Sequence, residues 1–185
     1  MKPLLVLAAA AALAAGTTTL NAQQPNPPRF FLEGLAGAVV PTFGIADVAT
    51  TGGAFGAAVG YRLSPRWVLL AEYDYGMHKD QATETVDIKT THLMGKVGYV
   101  VKPGGPKGWE VILNLGAGMV DFDVDGADSF SYFGINAGAK IAYNFSRSIA
   151  LVLSPQGDIA FSKESELSTS AAWVWPVTAG FRVSF

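Results

Sequence analysis

The stretch "TAGFRVSF", Thr178–Phe185, alternates strictly between large apolar residues and small or polar ones. In an extended chain the two kinds fall on opposite faces: Phe181, Val183 and Phe185 against Gly180, Arg182 and Ser184. A period of two predicts a β-strand with one apolar face. Because the last residues of a soluble domain are usually loose and polar, this strand is expected to have a pairing partner elsewhere in the chain.

The same alternation recurs along the chain in segments of roughly ten residues or slightly more, the length that a tilted strand needs to cross a bilayer. Together with the closing stretch they number eight: 30–40, 53–63, 67–78, 87–101, 109–121, 131–145, 149–161 and 173–185. The predicted fold class is therefore all-β, an eight-stranded antiparallel up-and-down transmembrane β-barrel in residues 30–185.

The start of the chain is typical of a secretory signal peptide. Lys2 precedes an apolar stretch from Leu4 to Ala15, and small and polar residues follow as far as Ala22. We expect a signal peptide over 1–22, with cleavage after Ala22, and a short periplasmic tether over 23–29, "QQPNPPR".

Composition narrows the class of protein. The 185 residues include no cysteine, which excludes disulfides and thiolate metal sites, and the formal charge of −2 argues against a nucleic-acid partner. Half of the residues are hydrophobic, yet after the signal peptide no apolar run reaches about 18 residues, so no transmembrane helix is expected. A closed barrel is the other backbone that can satisfy its hydrogen bonds in lipid.

The connections between segments alternate in length. "SPR", "KPGGPKG" and "SRS" are short, whereas "PTFGIADVATTGG", "MHKDQATETV", "DFDVDGADSF" and "SKESELSTS" are longer and polar. Outer-membrane barrels have short periplasmic turns and long external loops, and an even strand number places both ends of the barrel in the periplasm. The related stretches "YRLSPRWVL" and "YNFSRSIAL" place outward aromatic or apolar residues on both sides of a turn, at the expected membrane boundary.

The polar faces predict a charged lumen. Its members are Glu33, Arg62, Glu72, Asp74, His92, Lys96, Glu110, Lys140, Asp158 and Arg182. Side chains fill an eight-stranded barrel, and charges inside it should pair. Glu33 is expected to face Arg182 where the first and last strands meet, with Arg62 close by. The alternative is a path for ions or solutes lined by the same charges.

Two prolines fall inside predicted strands. Pro155 and Pro176 lack the N–H that a closed barrel needs, and they lie symmetrically about the last loop. We expect them nearly opposite each other, with a bulge or an interruption of strand pairing there.

One acidic motif has a possible metal chemistry. "DFDVDG", residues 121–126, matches the start of a calcium loop with Asp121, Asp123 and Asp125 as ligands. Position twelve of that pattern is Tyr132 instead of an acid, which favours a plain acidic external loop. No cofactor is expected.

The histidines offer little for catalysis. His92 falls on the lumen face beside Met94, and His78 is expected to be solvated at the barrel rim. No nucleophile and base stand in a recognisable pair, so the chain is not expected to be an enzyme.

The mature chain resembles the small outer-membrane β-barrel proteins around the OmpA transmembrane domain, OmpX/Ail and OmpW. The resemblance lies in the eight alternating segments, in "YRLSPRWVLLAEYDY" and in the closing "TAGFRVSF". It implies location in the outer membrane of a Gram-negative cell, contact with outer-membrane lipid and lipopolysaccharide, and a monomer. It also implies that Gly180, Val183 and Phe185 form an assembly signal read by the barrel assembly machinery.

The resemblance leaves three functions open. The first is a structural or interaction role through the external loops, with the lumen plugged by side chains. The second is a narrow channel or small-ligand carrier, as in OmpW. The third is a lipid A-modifying enzyme, which the histidines do not favour.

Overall fold

The computed structural model describes residues 28–82, 86–126, 129–167 and 169–185. The predicted signal peptide, 1–22, and all of the tether before Pro28 lie outside the described residues. Within these residues no helix is long and apolar enough to cross a membrane. The strands are β1 (Phe30–Thr42), β2 (Gly52–Arg62), β3 (Trp67–Lys79), β4 (Asp87–Lys102), β5 (Gly108–Val124), β6 (Phe130–Asn144), β7 (Ile149–Ala160) and β8 (Ala172–Ser184).

The strands form a closed barrel in which each pairs with its neighbours in sequence and β8 returns to β1. All neighbouring pairs are antiparallel. The eight-stranded up-and-down barrel predicted from alternation is therefore confirmed. The seam between β1 and β8 runs from Phe31 opposite Ser184 to Thr42 opposite Trp173, so the partner of the closing stretch is the first strand.

Gly180 permits close contact at this seam. A Cβ added there would lie 1.9 Å from the carbonyl oxygen of Gly34 on β1, whereas a Cβ on Gly34 would meet nothing within 4 Å. Only glycine avoids that backbone clash. The closing strand can therefore approach β1 at this point without displacing it.

The outer surface carries the apolar faces of the strands, as predicted. Phe181 is 61% exposed, as expected of a lipid-facing residue. Near the short turns, outward aromatic rings pair across neighbouring strands: Phe30 with Tyr61, Trp67 with Tyr99, and Trp109 with Tyr143, with ring centroids 4.7, 5.2 and 5.1 Å apart. These pairs form one side of an aromatic girdle, at the end of the barrel with the short turns. That end is called the periplasmic end, after the expectation from turn length, and the opposite end is called the external end.

The connections at the other end are more structured than the sequence predicts. β5 extends to Val124 and β6 begins at Phe130, so half of the predicted loop 121–130 is strand, held by pairing of Phe122 with Phe130. The connection after β1 contains a 3-10 helix, Phe43–Asp47, and the one before β8 contains a helical turn, α1 (Glu164–Leu167). Both bury an apolar residue, which a wholly polar loop would not do.

The prolines interrupt pairing without a bulge. Pro155 lies opposite Val177, so Pro155 and Pro176 are offset by one residue, and pairing of β7 with β8 resumes at Asp158 and Val174 in the same register. The β6–β7 ladder is also interrupted next to Pro155, and there the side-chain amide of Gln156 donates to the carbonyl of Ala139 at 3.0 Å. A side chain thus replaces a donor that proline cannot supply.

Candidate functional site in the barrel lumen

The ten charged and histidine residues predicted for the lumen all lie on inward faces of their strands. Nine of them are buried, and Arg62 is half-buried at the periplasmic end. The inward faces of eight different strands therefore converge on one charged layer, with apolar clusters around it such as Phe31, Val68, Leu70, Val100 and Ile112.

Seven of these side chains form one chain of alternating charge. Arg62 contacts Glu110 at 2.8 Å, Glu110 contacts Arg182 at 2.5 Å, and Arg182 contacts Glu33 at 2.8 Å. The facing of Glu33 and Arg182 across the seam is thus as the register predicts, and Arg62 lies close by through the shared Glu110.

The same chain then crosses the lumen. The Lys140 ammonium on β6 lies 2.6 Å from Glu33 on β1 and 2.6 Å from Glu72 on β3, and Glu72 contacts Lys96 at 2.9 Å. Ser154 and Gln156 on β7 accept further hydrogen bonds from Lys140 and Lys96, at 3.3 and 3.2 Å. The two buried ammonium groups therefore each have carboxylate charge and a polar side-chain oxygen around them, which offsets their desolvation.

Phe31 supports the periplasmic end of this chain. The guanidinium carbons of Arg182 and Arg62 lie 4.3 and 5.6 Å from the centre of its ring. The ring occupies the space beside Gly60, where an added Cβ would come within 1.9 Å of it. The arginines are thus held by cation–π contact as well as by carboxylates.

A second polar group lies nearer the external end. His92 Nδ1 is 2.7 Å from Asp158, and Asn136 donates to the other oxygen of Asp158 at 2.5 Å. Among the described residues, His92 Nε2 and one oxygen of Asp74 are buried without a hydrogen-bond partner. No hydroxyl contacts His92 Nε2 there, so His92 is not placed to activate a hydroxyl nucleophile among the described residues.

An apolar layer closes the lumen above these groups. It combines inward residues of several strands with one residue from each folded connection: Val39, Ile45, Ala54, Met94, Val120, Phe122, Tyr132, Ala160, Leu167, Ala172 and Val174. Ile45 comes from the 3-10 helix and Leu167 from α1, and both are buried. Two external connections therefore fold inward over the barrel mouth.

The expectation that His78 is solvated at the rim is wrong. His78 is on the inward face of β3 and only 3% exposed, beneath the connection after β1. Its Nδ1 donates to the carbonyl of Thr50 at 2.8 Å, so the ring fastens that connection to the wall.

A polar contact holds α1 in the same way. The Tyr132 hydroxyl donates to Glu166 at 2.7 Å, and Lys163 contacts the other oxygen of Glu166 at 3.1 Å. The hydrogen bond from Tyr132, with a further contribution from Lys163, holds the pKa of Glu166 below its usual range. The helical turn is thus anchored to the inner wall by an ionised carboxylate.

The candidate calcium ligands do not form a cluster. Asp121 and Asp123 lie in the extended strand β5, and Asp125 directly follows it. Asp121 accepts from Ser131 at 2.5 Å, Asp123 from Ser129 at 3.2 Å, and Asp125 from Lys89 at 3.0 Å. Across the described part of the chain, no group of three or more histidine or acidic side chains is arranged to hold a metal ion.

The periplasmic end contains an open cavity of about 310 Å³, called here the periplasmic vestibule. Three arginines and one glutamate are its charged lining: Arg62, Arg147, Arg182 and Glu110. Prolines and glycines of the tether and turns complete its wall, among them Pro28, Pro65, Pro103 and Gly105. The lumen is thus open at this end as far as the charged chain.

Sequence reasoning found the charged faces but missed two features. The sharing of Glu110 by two arginines and the bridging by Lys140 depend on contacts across the lumen, for which strand alternation has no signal. The inward fold of the external connections has a weak signal, because Ile45 and Leu167 are isolated apolar residues in otherwise polar stretches.

Comparison with known proteins gives one family. The family described as outer membrane protein beta-barrel domain matches residues 5–181. No curated protein matches the sequence.

Several solved structures are similar in fold, including the following three. Neisserial surface protein A is 16% identical with a TM-score of 0.63, covering 84% of this chain and 97% of that one. OprG of Pseudomonas aeruginosa is 12% identical with a TM-score of 0.61, covering 89% and 99%. Ail, the attachment invasion locus protein of Yersinia pestis, is 17% identical with a TM-score of 0.50, covering 85% and 99%.

Proposed function

Since the chain belongs to the outer membrane protein beta-barrel domain family, we propose that it is a non-conducting barrel of the outer membrane that acts through its external connections. Its role is structural or interactive, and its lumen serves stability. The proposal includes export with cleavage after Ala22, insertion by the barrel assembly machinery with Gly180, Val183 and Phe185 as the signal, and a monomer surrounded by outer-membrane lipid and lipopolysaccharide.

The observation that carries the proposal is the bridge formed by Lys140. It joins β6 to β1 and β3 through two contacts of 2.6 Å, and the apolar layer lies above it. A solute crossing the barrel would have to separate buried ion pairs, which is strongly unfavourable, and then pass the apolar layer. Both barriers favour a closed lumen.

The external connections favour an interaction role by their charge. Residues 43–51, 80–86, 125–129 and 161–171 contain seven carboxylates and one lysine. Such a rim suits a partner with a basic surface, or lipopolysaccharide phosphates bridged by divalent cations. Ail, one of the proteins similar in fold, is named the attachment invasion locus protein, and a role in attachment is consistent with this proposal.

Planar-bilayer recording of the purified full chain tests the closed lumen. We expect no sustained conductance from the natural protein, and discrete openings only from a variant that weakens both barriers, Glu72→Ala/Lys140→Ala combined with Leu167→Ala in the apolar layer. Lys89→Ala is the control, because its ion pair with Asp125 is exposed and outside the lumen. Sustained openings of the natural protein would overturn the proposal in favour of a narrow channel or carrier.

Complementation of a deletion strain tests the role of the rim. We expect the natural gene to restore envelope integrity or surface attachment, and a variant with Asp47, Asp125 and Glu164 changed to Asn or Gln to insert normally but restore less. Equal complementation by both would refute action through rim charge. Mass spectrometry of lipid A from the same strains tests the proposal that the protein is not an enzyme, and a mass change that depends on the gene would contradict it.

A further inference from the structure

We propose that the periplasmic vestibule is a binding site for a small oxyanion, a phosphate or carboxylate group, held by Arg62 and Arg147. The inference is independent of the closed lumen and of the external connections, because the vestibule opens at the opposite end of the barrel.

The first argument is the charge of the cavity lining. Three guanidinium groups and one carboxylate line the vestibule. Both oxygens of Glu110 are already occupied, since Arg62 donates to each at 2.8 Å and Arg182 contacts Oε1 at 2.5 Å. The vestibule therefore has positive charge without a free carboxylate oxygen to repel an anion.

The second argument is the number of unused donors. Both hydrogen bonds of Arg62 come from Nη2, which leaves the N–H groups of Nη1 and Nε for another acceptor. In the described ranges, no hydrogen bond or ion pair engages the guanidinium of Arg147, which is exposed in the turn between β6 and β7. Guanidinium donors arranged in a fork match the geometry of phosphate and carboxylate.

The third argument is the charge balance of the buried chain. Its seven members comprise four cations, Arg62, Arg182, Lys140 and Lys96, and three carboxylates, Glu110, Glu33 and Glu72. At the periplasmic end, the last member of this chain of alternating charges is the cation Arg62. An anion bound in the vestibule would be the next charge in the alternating series.

The surroundings of the vestibule would direct an anion to it. The turns at 103–107 and 145–148 contain Lys107 and Arg147 and no carboxylate. Asn144 fixes the turn beside the cavity by donating to the carbonyl of Gly105 at 3.1 Å. A positive rim raises the local concentration of anions, and a fixed wall reduces the entropy lost on binding.

The test is a titration of the full chain in nonionic detergent with sodium phosphate and, separately, with succinate, at constant ionic strength set by sodium chloride. Amide NMR shifts of Gly104 and Gly105 locate the site. We expect saturable shifts, and about tenfold weaker binding by Arg147→Gln, because a charge-assisted contact is lost. Arg66→Gln is the matched control, since Arg66 belongs to a neighbouring turn and donates to Tyr99 at 2.8 Å.

Nanodiscs distinguish a solute from a lipid headgroup as the source of the oxyanion. Saturation by phosphate or succinate in detergent identifies a solute, whereas shifts that depend on Arg147 only in phosphatidylglycerol nanodiscs, and not in phosphatidylcholine ones, identify a headgroup. Either result supports the site. If no probe gives saturable shifts, or if Arg147→Gln and Arg66→Gln weaken binding equally, the proposal is overturned.

Discussion

The lumen of this barrel is filled by charged side chains at one end and by apolar side chains at the other. Toward the periplasm the strands contribute a continuous chain of ion pairs, all from the barrel wall itself. Toward the exterior they contribute an apolar layer that is completed by Ile45 and Leu167 from the connections. The comparison teaches that the charged layer is built entirely from strand residues, whereas the apolar layer also depends on how the external connections fold.

The largest effect is expected from Glu33→Ala in the charged layer. The substitution removes one carboxylate from both Arg182 and Lys140, which stay buried. Breaking a buried pair costs about 3 kcal/mol or more, so the free energy of unfolding in detergent should fall by that amount. Urea unfolding followed by tryptophan fluorescence measures it. Lys89→Ala, at an exposed pair, should change it by less than about 1 kcal/mol; similar losses would mean that burial does not set the cost.

In the apolar layer, Leu167→Ala is expected to lower the free energy of unfolding by less, about 2 kcal/mol at most, because α1 can relax into the space that the removed side chain leaves. Its effect should be confined to the external end. Hydrogen exchange should rise in α1 and near Ile45 and stay unchanged around Glu33. Increased hydrogen exchange throughout the barrel would show that the charged layer and the apolar layer are destabilised together.

Gly180→Ala tests the close approach of β8 to β1 at the seam, in the barrel wall that surrounds both layers. The added methyl would meet the Gly34 carbonyl, and we expect a loss of about 1–2 kcal/mol in unfolding free energy. Gly34→Ala is the matched control, since nothing lies within 4 Å of its Cβ position. Equal behaviour of the two variants in the same urea titration would refute close approach at the seam.

Tyr132→Phe should have a smaller and local effect. It removes the hydroxyl that donates to Glu166 and leaves the ring in the apolar layer. We expect faster protease cleavage near α1 with unchanged global unfolding. Unchanged cleavage would mean that Leu167 alone holds the helical turn.

The smallest expected effect is a pH dependence of the contact between Tyr132 and Glu166. The pKa of Glu166 is lower in the folded protein, so its contribution is present above the ordinary carboxyl pKa and disappears as pH falls through the lowered value. Methyl NMR signals of Leu167 should shift with acidification in the natural protein. In Tyr132→Phe that transition should move to higher pH, and an identical transition in both would contradict the role of the hydroxyl.

The two layers also differ in what the sequence could predict. Alternation placed the strands within about two residues at most ends, because lipid on one side and a packed lumen on the other impose a strict period. It also placed Glu33 opposite Arg182, since neighbours in a ladder follow from register. It could not predict that Lys140 joins Glu33 to Glu72, because contacts across a lumen depend on how the closed barrel staggers its strands.

The external end was predicted less well for a related reason. His78 was expected in solvent because it lies at the rim, at the predicted end of its strand, yet the connection after β1 covers its ring on the inward face of β3. A polar composition predicts solvent contact for a loop only on average. In two connections one buried apolar residue, Ile45 or Leu167, is enough to hold the connection over the barrel mouth.

The pairing of Glu33 with Arg182 has a consequence for the time course of folding. The two residues are 149 positions apart, and their strands are the first and last of the barrel. Contacts between residues so far apart in sequence form only after the entropy of the long loop between them has been lost. Closure of the barrel therefore stabilises the chain only when nearly all of it is arranged. Until then both edge strands expose unpaired backbone and apolar side chains. Folding of this chain should therefore be slow and vulnerable to aggregation, with the seam ion pair among the last contacts to form.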